Sequence, residues 1–145
     1  NAYEAEYLFE QGFKNTYIID IAPQALDSFS KRVPNFPKEN LICDDFFKHQ
    51  NQYDLIVEQT FFCALDPKQR EDYIKKMYEL LKPSAKLVGL LFNIPLNTEH
   101  PPFGGNKDEY EKQFSPYFNF KHFQTSYNSI KPRENNELFF VFEKK

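Results

Sequence analysis

Two apolar runs joined by one amphipathic helix leave few folds open to this chain. The first run, Leu55-Ile56-Val57, follows Asp54 and turns polar at Glu58 and Gln59, as a strand buried on both faces does when it surfaces. Asp66 then stands as a helix cap, Pro67 suits the first turn because a missing N–H is no loss there, and Gln69 occupies the place of a capping-box partner. Tyr73, Ile74, Met77, Tyr78, Leu80 and Leu81 share one stripe, and Lys82-Pro83 ends the helix. The second run, Leu87 to Phe92, follows. Strand, helix and strand of this kind form a parallel βαβ unit with a right-handed crossover. Ligands bind beyond the carboxyl ends of such strands, so Glu58, Gln59 and Phe61-Phe62-Cys63 stand where chemistry is expected.

The remaining segments extend that unit. Residues 2–11 place Ala2, Ala5, Leu8 and Phe9 at helical spacing. Residues 17–21 form a short strand with Asp20 at its carboxyl end, and Pro23 leads a helix through Leu26, Phe29 and Val33. Pro34-Asn35-Phe36-Pro37 breaks the pattern, and Asn40 to Cys43 make the next strand, followed directly by Asp44-Asp45-Phe46-Phe47. Residues 93–106 form a loop of the length that lids and binding loops have, and Asn106 with Glu109 caps a helix to about Phe114. Two aromatic runs, 118–127 and 138–142, suit an antiparallel pair closing the edge of the sheet. The order predicts a doubly wound α/β fold, mostly parallel, with an antiparallel C-terminal edge strand. Its first element is a helix, so the pattern lacks a first strand and the glycine turn after it. No G-x-G occurs among the four glycines.

A chain of 145 residues suffices for one core, so the expectation is a single domain over 1–145, incomplete at its N-terminus because Asn1 stands where a Met would. The net charge of −3, with lysines spread among acids, argues against a nucleic-acid surface. No stretch approaches a membrane span and no signal peptide is visible. Cys43 and Cys63 read as small buried hydrophobes in a reducing cytoplasm. His49, His100 and His122 match no ligand spacing, so no metal is expected.

Asp20 lies about twenty residues past the expected glycine turn, where an acid can accept from both ribose hydroxyls. A helix cap or a solvated side chain explains it equally simply. Asp44-Asp45-Phe46 ends the neighbouring strand, where at most one of the two adjacent acids can face a ligand and accept from an adenine amine while the ring packs on the base; a solvated acidic turn is the plain alternative. Phe61 and Phe62 either wall an apolar pocket or pack beneath it.

FFCALDPKQREDYIKKMYELLKP, preceded by YDLI and followed by HPPF, resembles the thiopurine, thiol and halide S-methyltransferase family over Asn1 to about Phe120, most closely its thiol and halide branch. The resemblance implies the Rossmann-like sheet of class I methyltransferases and S-adenosyl-L-methionine as cofactor. By position it gives Asp20 the ribose, Asp45 and Phe46 the adenine, and Gln59 a place beside the methionine moiety, although relatives tend to have Tyr or Arg there. Phe62, His100 and Phe103 fall on the acceptor side, His100 otherwise being a solvated loop histidine. The family's glycine turn and tryptophan-containing cover precede Asn1, so residues 1–145 alone are expected to be inactive.

These readings predict a cytoplasmic, monomeric enzyme that moves a methyl group to a small soft nucleophile: a thiol, thiocyanate or halide. A thiolate or halide needs no strong protein base, so no catalytic residue is assigned. The alternative is a non-catalytic nucleoside-binding or interaction domain with the same fold. A larger acceptor stays open, because acceptor identity lives in loops and in the N-terminal cover.

Overall fold

A computed structural model describes all of residues 1–145. They form two compact units, Asn1–Gln50 and Asn51–Lys145.

The first unit contains helix α1 (Tyr3–Glu10), strand β1 (Ile18–Asp20), helix α2 (Pro23–Arg32) and strand β2 (Leu41–Cys43). Pro23 opens α2 as expected, and Lys31 and Arg32 lie in its last turn, where cations meet the negative helix pole. The two strands run parallel, with Ile18 opposite Leu41 and Asp20 opposite Cys43. Phe9, Phe29, Val33 and Phe36 form the core, against which Ile18 and Leu41 pack. Phe36 belongs to the segment that breaks the helix, yet its ring meets Phe9 at 4.9 Å and Phe29 edge-on at 5.0 Å. The two prolines beside it turn the chain, and the turn delivers an aromatic plug.

The second unit contains β3 (Tyr53–Glu58), α3 (Arg70–Leu80), β4 (Leu81–Phe92), α4 (Lys107–Phe114), β5 (Phe118–Thr125) and β6 (Glu137–Lys144). Asp66 accepts from the Lys68 N–H at 2.9 Å and so caps a short 3-10 turn, Pro67–Gln69, that leads into α3. Asn106 caps α4 by accepting from the Glu109 N–H at 3.0 Å. The helix α3 stops at Leu80 because Pro83 cannot donate to a helical carbonyl and biases Lys82 toward extended backbone. Strand β4 therefore starts at Leu81, well before the expected Leu87.

The sheet order is β3-β4-β6-β5, with β3 and β4 parallel and β6 antiparallel to both of its neighbours. The aromatic runs do form an antiparallel pair at the sheet's edge. The opposed strand, however, is its inner member, with β5 outermost.

The expectation that β3 and β4 are buried on both faces is met on one face only. Leu87, Gly89 and Leu91 of β4 stand opposite Phe142, Phe140 and Leu138 of β6, all buried. On the other face Leu55 and Val57 are 47% and 42% exposed, and Val88 and Leu90 are half-buried. The dry face carries the aromatic core: Phe62, Tyr73, Tyr110, Phe114, Phe140 and Phe142. Phe114 meets Phe142 at 5.1 Å, and Phe120 stacks on Phe142 at 4.4 Å.

Candidate functional site

In the first unit the parallel register brings the carboxyl ends of β1 and β2 to one level, and the Asp20 carbonyl accepts from the Asp44 N–H at 3.2 Å. Asp20 accepts from the Ala22 N–H through Oδ1 at 2.9 Å, which shapes the turn into α2. Asp44 accepts from the Asp45 N–H at 2.7 Å, and Asp45 from the Phe47 N–H at 2.9 Å. Each acid thus commits one oxygen to its own turn, and the second oxygens of half-buried Asp20 and Asp45 have acceptor capacity left over. Two strand-end carboxylates of this kind suit a ligand that brings donors, such as vicinal hydroxyls and an amine. Phe46 is 8% exposed and packs edge-on to Phe47 at 5.2 Å, so only a sliver of its ring is open to a base.

In the second unit β3 ends in a carboxylate that the fold itself consumes. Glu58 is 2% exposed. Its Oε1 accepts from the Phe62 N–H and the Tyr73 hydroxyl, both at 2.8 Å, and its Oε2 from the Phe61 N–H at 3.1 Å. Glu58 therefore holds the 3-10 turn Phe62–Ala64 in place rather than facing a ligand, although it stands at the strand end where chemistry is expected. Gln59 is exposed beside it, followed by Thr60 in the left-handed region at φ 60°. Of the aromatic pair, Phe62 goes to the core: it is 1% exposed, 4.9 Å from Tyr73 and 5.8 Å from Tyr110. Phe62 thus leaves almost no surface for a substrate, against its expected place on the acceptor side, and Phe61 is the ring with open surface.

The loop after β4 returns to this turn. The Phe103 N–H donates to the Cys63 carbonyl at 2.9 Å, and Arg70 donates from Nη2 to the Gly104 carbonyl. Ile94 and Gly105 exchange backbone bonds at 3.1 and 2.9 Å, which closes the loop at its base. His100 lies at the exposed tip, its N–H donating to Asn97 Oδ1 at 3.1 Å. The turn after β3 and the loop after β4 thus share one end of the sheet, with His100 at the loop's tip and half-buried Phe103 nearer its base.

Burial governs the ionisable groups here. It pushes the Cys63 thiol up to about 11, with the Glu58 charge adding to the effect, so this thiol is no nucleophile at neutral pH. Burial likewise raises Glu58 against three hydrogen bonds that oppose it, raises Tyr73 well above a phenol's ordinary range, and pushes Tyr110 up to about 12. The same cause lowers Arg70. No group of three or more His, Cys, Asp or Glu is placed to hold a metal ion.

Arg70 is the residue that sequence reasoning passed over. It lies in the first turn of α3, where the helix dipole disfavours a cation, and it is 3% exposed. That misplacement was the available signal: a cation at a helix's positive end is held there by something else.

The family model described as thiopurine S-methyltransferase matches residues 1–144. The chain is 34% identical over 103 residues to "Probable thiol methyltransferase 2" of Arabidopsis thaliana, a match that covers 68% of this chain and 46% of the relative. It is 32% identical to "Thiocyanate methyltransferase 1" of Brassica oleracea over the same shares, so it spans about half the length of the curated relatives it matches. Among solved structures it resembles the Burkholderia thailandensis 1,6-didemethyltoxoflavin-N1-methyltransferase with bound 1,6-didemethyltoxoflavin and S-adenosylhomocysteine, with a TM-score of 0.77 and 13% identity over 99% of this chain and 67% of that one. That likeness is one of fold: a Rossmann-like α/β sheet with an antiparallel strand near its edge. With a match from end to end of the chain and relatives above 30% identity, this chain belongs to the thiopurine S-methyltransferase family.

Proposed function

We propose that the protein carrying this chain is an S-adenosyl-L-methionine-dependent methyltransferase acting on a small soft nucleophile: a thiol, thiocyanate or halide. The observation that carries the reading is the pair of strand-end acids. Asp20 and Asp45 each keep a carboxylate oxygen uncommitted at the carboxyl ends of two paired parallel strands, in a chain of this family. Asp20 would hold the ribose hydroxyls, Asp45 the adenine amine with Phe46 packed below, and Gln59 the methionine moiety. Phe62 supports the acceptor side from beneath, and His100 and Phe103 line it.

The cofactor, when bound, supplies an electrophilic methyl group. The chain's own part is binding, alignment and exclusion of water, since a thiolate or halide arrives as a competent nucleophile. The raised thiol of Cys63 and the fully engaged carboxylate of Glu58 support this assignment of roles, because neither is poised to act as nucleophile or base. Cytoplasmic location and a monomeric state are part of the same proposal. Two free cysteines suit a reducing compartment, and no helix is long and apolar enough to cross a membrane.

The test is titration calorimetry of S-adenosylmethionine and S-adenosylhomocysteine against the full-length protein and its Asp20→Ala variant. Affinity should fall by about 1 to 3 kcal/mol in the variant. Unchanged affinity would remove the ribose assignment, and no binding by the wild type would remove the cofactor.

A further inference from the structure

We propose that Arg70 is a positioning residue for the methyl acceptor, acting through the loop of residues 93–106. This rests on the reading of that loop as the acceptor side. Arg70 is 3% exposed, and its guanidinium lies 4.6 Å from the Phe62 ring centroid and 5.9 Å from that of Tyr110. Its partner is a backbone carbonyl, that of Gly104, and its Nε meets no acceptor. A buried arginine that ends on a carbonyl rather than a carboxylate is a costly way to fill a core. What it does achieve is to fix one point of the loop from the helix α3.

The loop is pinned around that point. Besides the Ile94 and Gly105 exchange, Asn97 donates from its backbone to the Phe103 carbonyl at 3.0 Å and from Nδ2 to the Pro102 carbonyl at 2.9 Å. Gly104 sits at φ +73°, and a Cβ there would come within 2.6 Å of the Pro95 carbonyl oxygen. A Cβ on Gly105 would meet the Tyr110 hydroxyl at 2.5 Å, and that hydroxyl donates to the Phe92 carbonyl at 2.6 Å. The neck is therefore close-packed on glycine backbone, with Arg70 bonded to the Gly104 carbonyl and the Tyr110 ring against Gly105. The run Thr98 to Pro102 forms the exposed tip, and of the neck Gly104 and Gly105 are buried while Pro95 and Leu96 face solvent. A tip on a fixed neck is a preformed wall. Its distance from the end of β3 is set by Arg70 and by the Phe103 to Cys63 bond.

Arg70→Met keeps the apolar stem and removes the fork, and Arg70→Lys keeps the charge without the planar fork that spans ring and carbonyl. Both are made in the full-length protein and assayed with thiocyanate and iodide as acceptors. For Arg70→Met the acceptor KM should rise about tenfold or more. The calorimetric affinity for S-adenosylhomocysteine should stay within about twofold, while the amides of Phe103 and Gly105 exchange with solvent faster than in wild type. Arg70→Lys should fall between and covers the case in which the methionine variant does not fold. An unchanged acceptor KM, or a loss of S-adenosylhomocysteine binding as large as the KM effect, overturns the assignment of Arg70 alone. A wild type that binds S-adenosylhomocysteine but methylates neither anion overturns the acceptor reading beneath it.

Discussion

Tyr73 donates its hydroxyl to Oε1 of Glu58 at 2.8 Å, and so bolts the middle of a helix to the carboxyl end of the strand before it. Both groups are buried, at 0% and 2% exposure. Tyr73→Phe should therefore cost about 1 to 3 kcal/mol, the range for removing one partner of a buried hydrogen bond. Urea unfolding reads this as a lower midpoint at constant slope. Tyr73→Ala should cost about 3 to 5 kcal/mol with little effect on cofactor affinity. A phenylalanine variant as stable as wild type would show that the bond adds nothing.

Glu58 gives the fold a pH dependence of known sign. Burial raises its folded pKa above the ordinary 4.5, so the folded state holds this proton more tightly than the unfolded state does. The stabilisation from protonated Glu58 is complete below that ordinary value and is lost as pH rises through the folded pKa. Relative to Glu58→Gln, the wild type should lose stability as pH rises from about 4 and level off above the folded pKa. Denaturant melts of both proteins across that window measure the difference. A difference that stays flat with pH would remove Glu58 as the source.

Gly89 faces Glu58 across the parallel pair of β3 and β4. A Cβ at this position would stand 1.9 Å from the Glu58 carbonyl oxygen, which is backbone and has nowhere to go. Gly89→Ala should cost about 3 kcal/mol or more by forcing the strands apart. Thermal unfolding tests it, and a melting temperature within a degree of wild type would mean that the strand spacing gives more readily than this geometry allows.

Asp20 has two separable jobs, one oxygen on the Ala22 N–H and one uncommitted. Asp20→Asn can keep the first, since its carbonyl still accepts, and should leave stability within about 0.5 kcal/mol of wild type. It loses the charge that the second would use, so cofactor affinity should fall by roughly 1 kcal/mol or more. Equal losses of stability and affinity would merge the two jobs into one structural role.

What could be read from the residues was mostly what is local. The Asn106 cap, the Asp66 turn and the Pro23 start depend on neighbours a few positions away, and the structure has each of them. The place of β6 inside the sheet depends on pairing with residues some fifty positions earlier, such as Phe140 with Gly89, and no local pattern encodes it. The run Leu55-Ile56-Val57 is as apolar as a strand covered on both faces, yet Leu55 and Val57 are exposed, because an apolar run alone does not say how many faces are covered. At the candidate site the strand-end acids were visible as types at a spacing. That Glu58 is spent on Tyr73 and the Phe61-Phe62 amides was not, since a hydrogen-bonded turn and a ligand pocket use the same residue types.

The inner position of β6 also sets an order of events. It is the last of the six strands to leave the ribosome, yet β5 reaches β4 only through it. Strand β3, helix α3 and strand β4 can associate from nearby contacts while synthesis continues. The aromatic core cannot close at that stage, because Phe140 and Phe142 arrive on β6. A nascent chain halted before Glu137 would carry an unpaired β4 edge and an orphaned β5, a state open to chaperones and to pairing with its own copies.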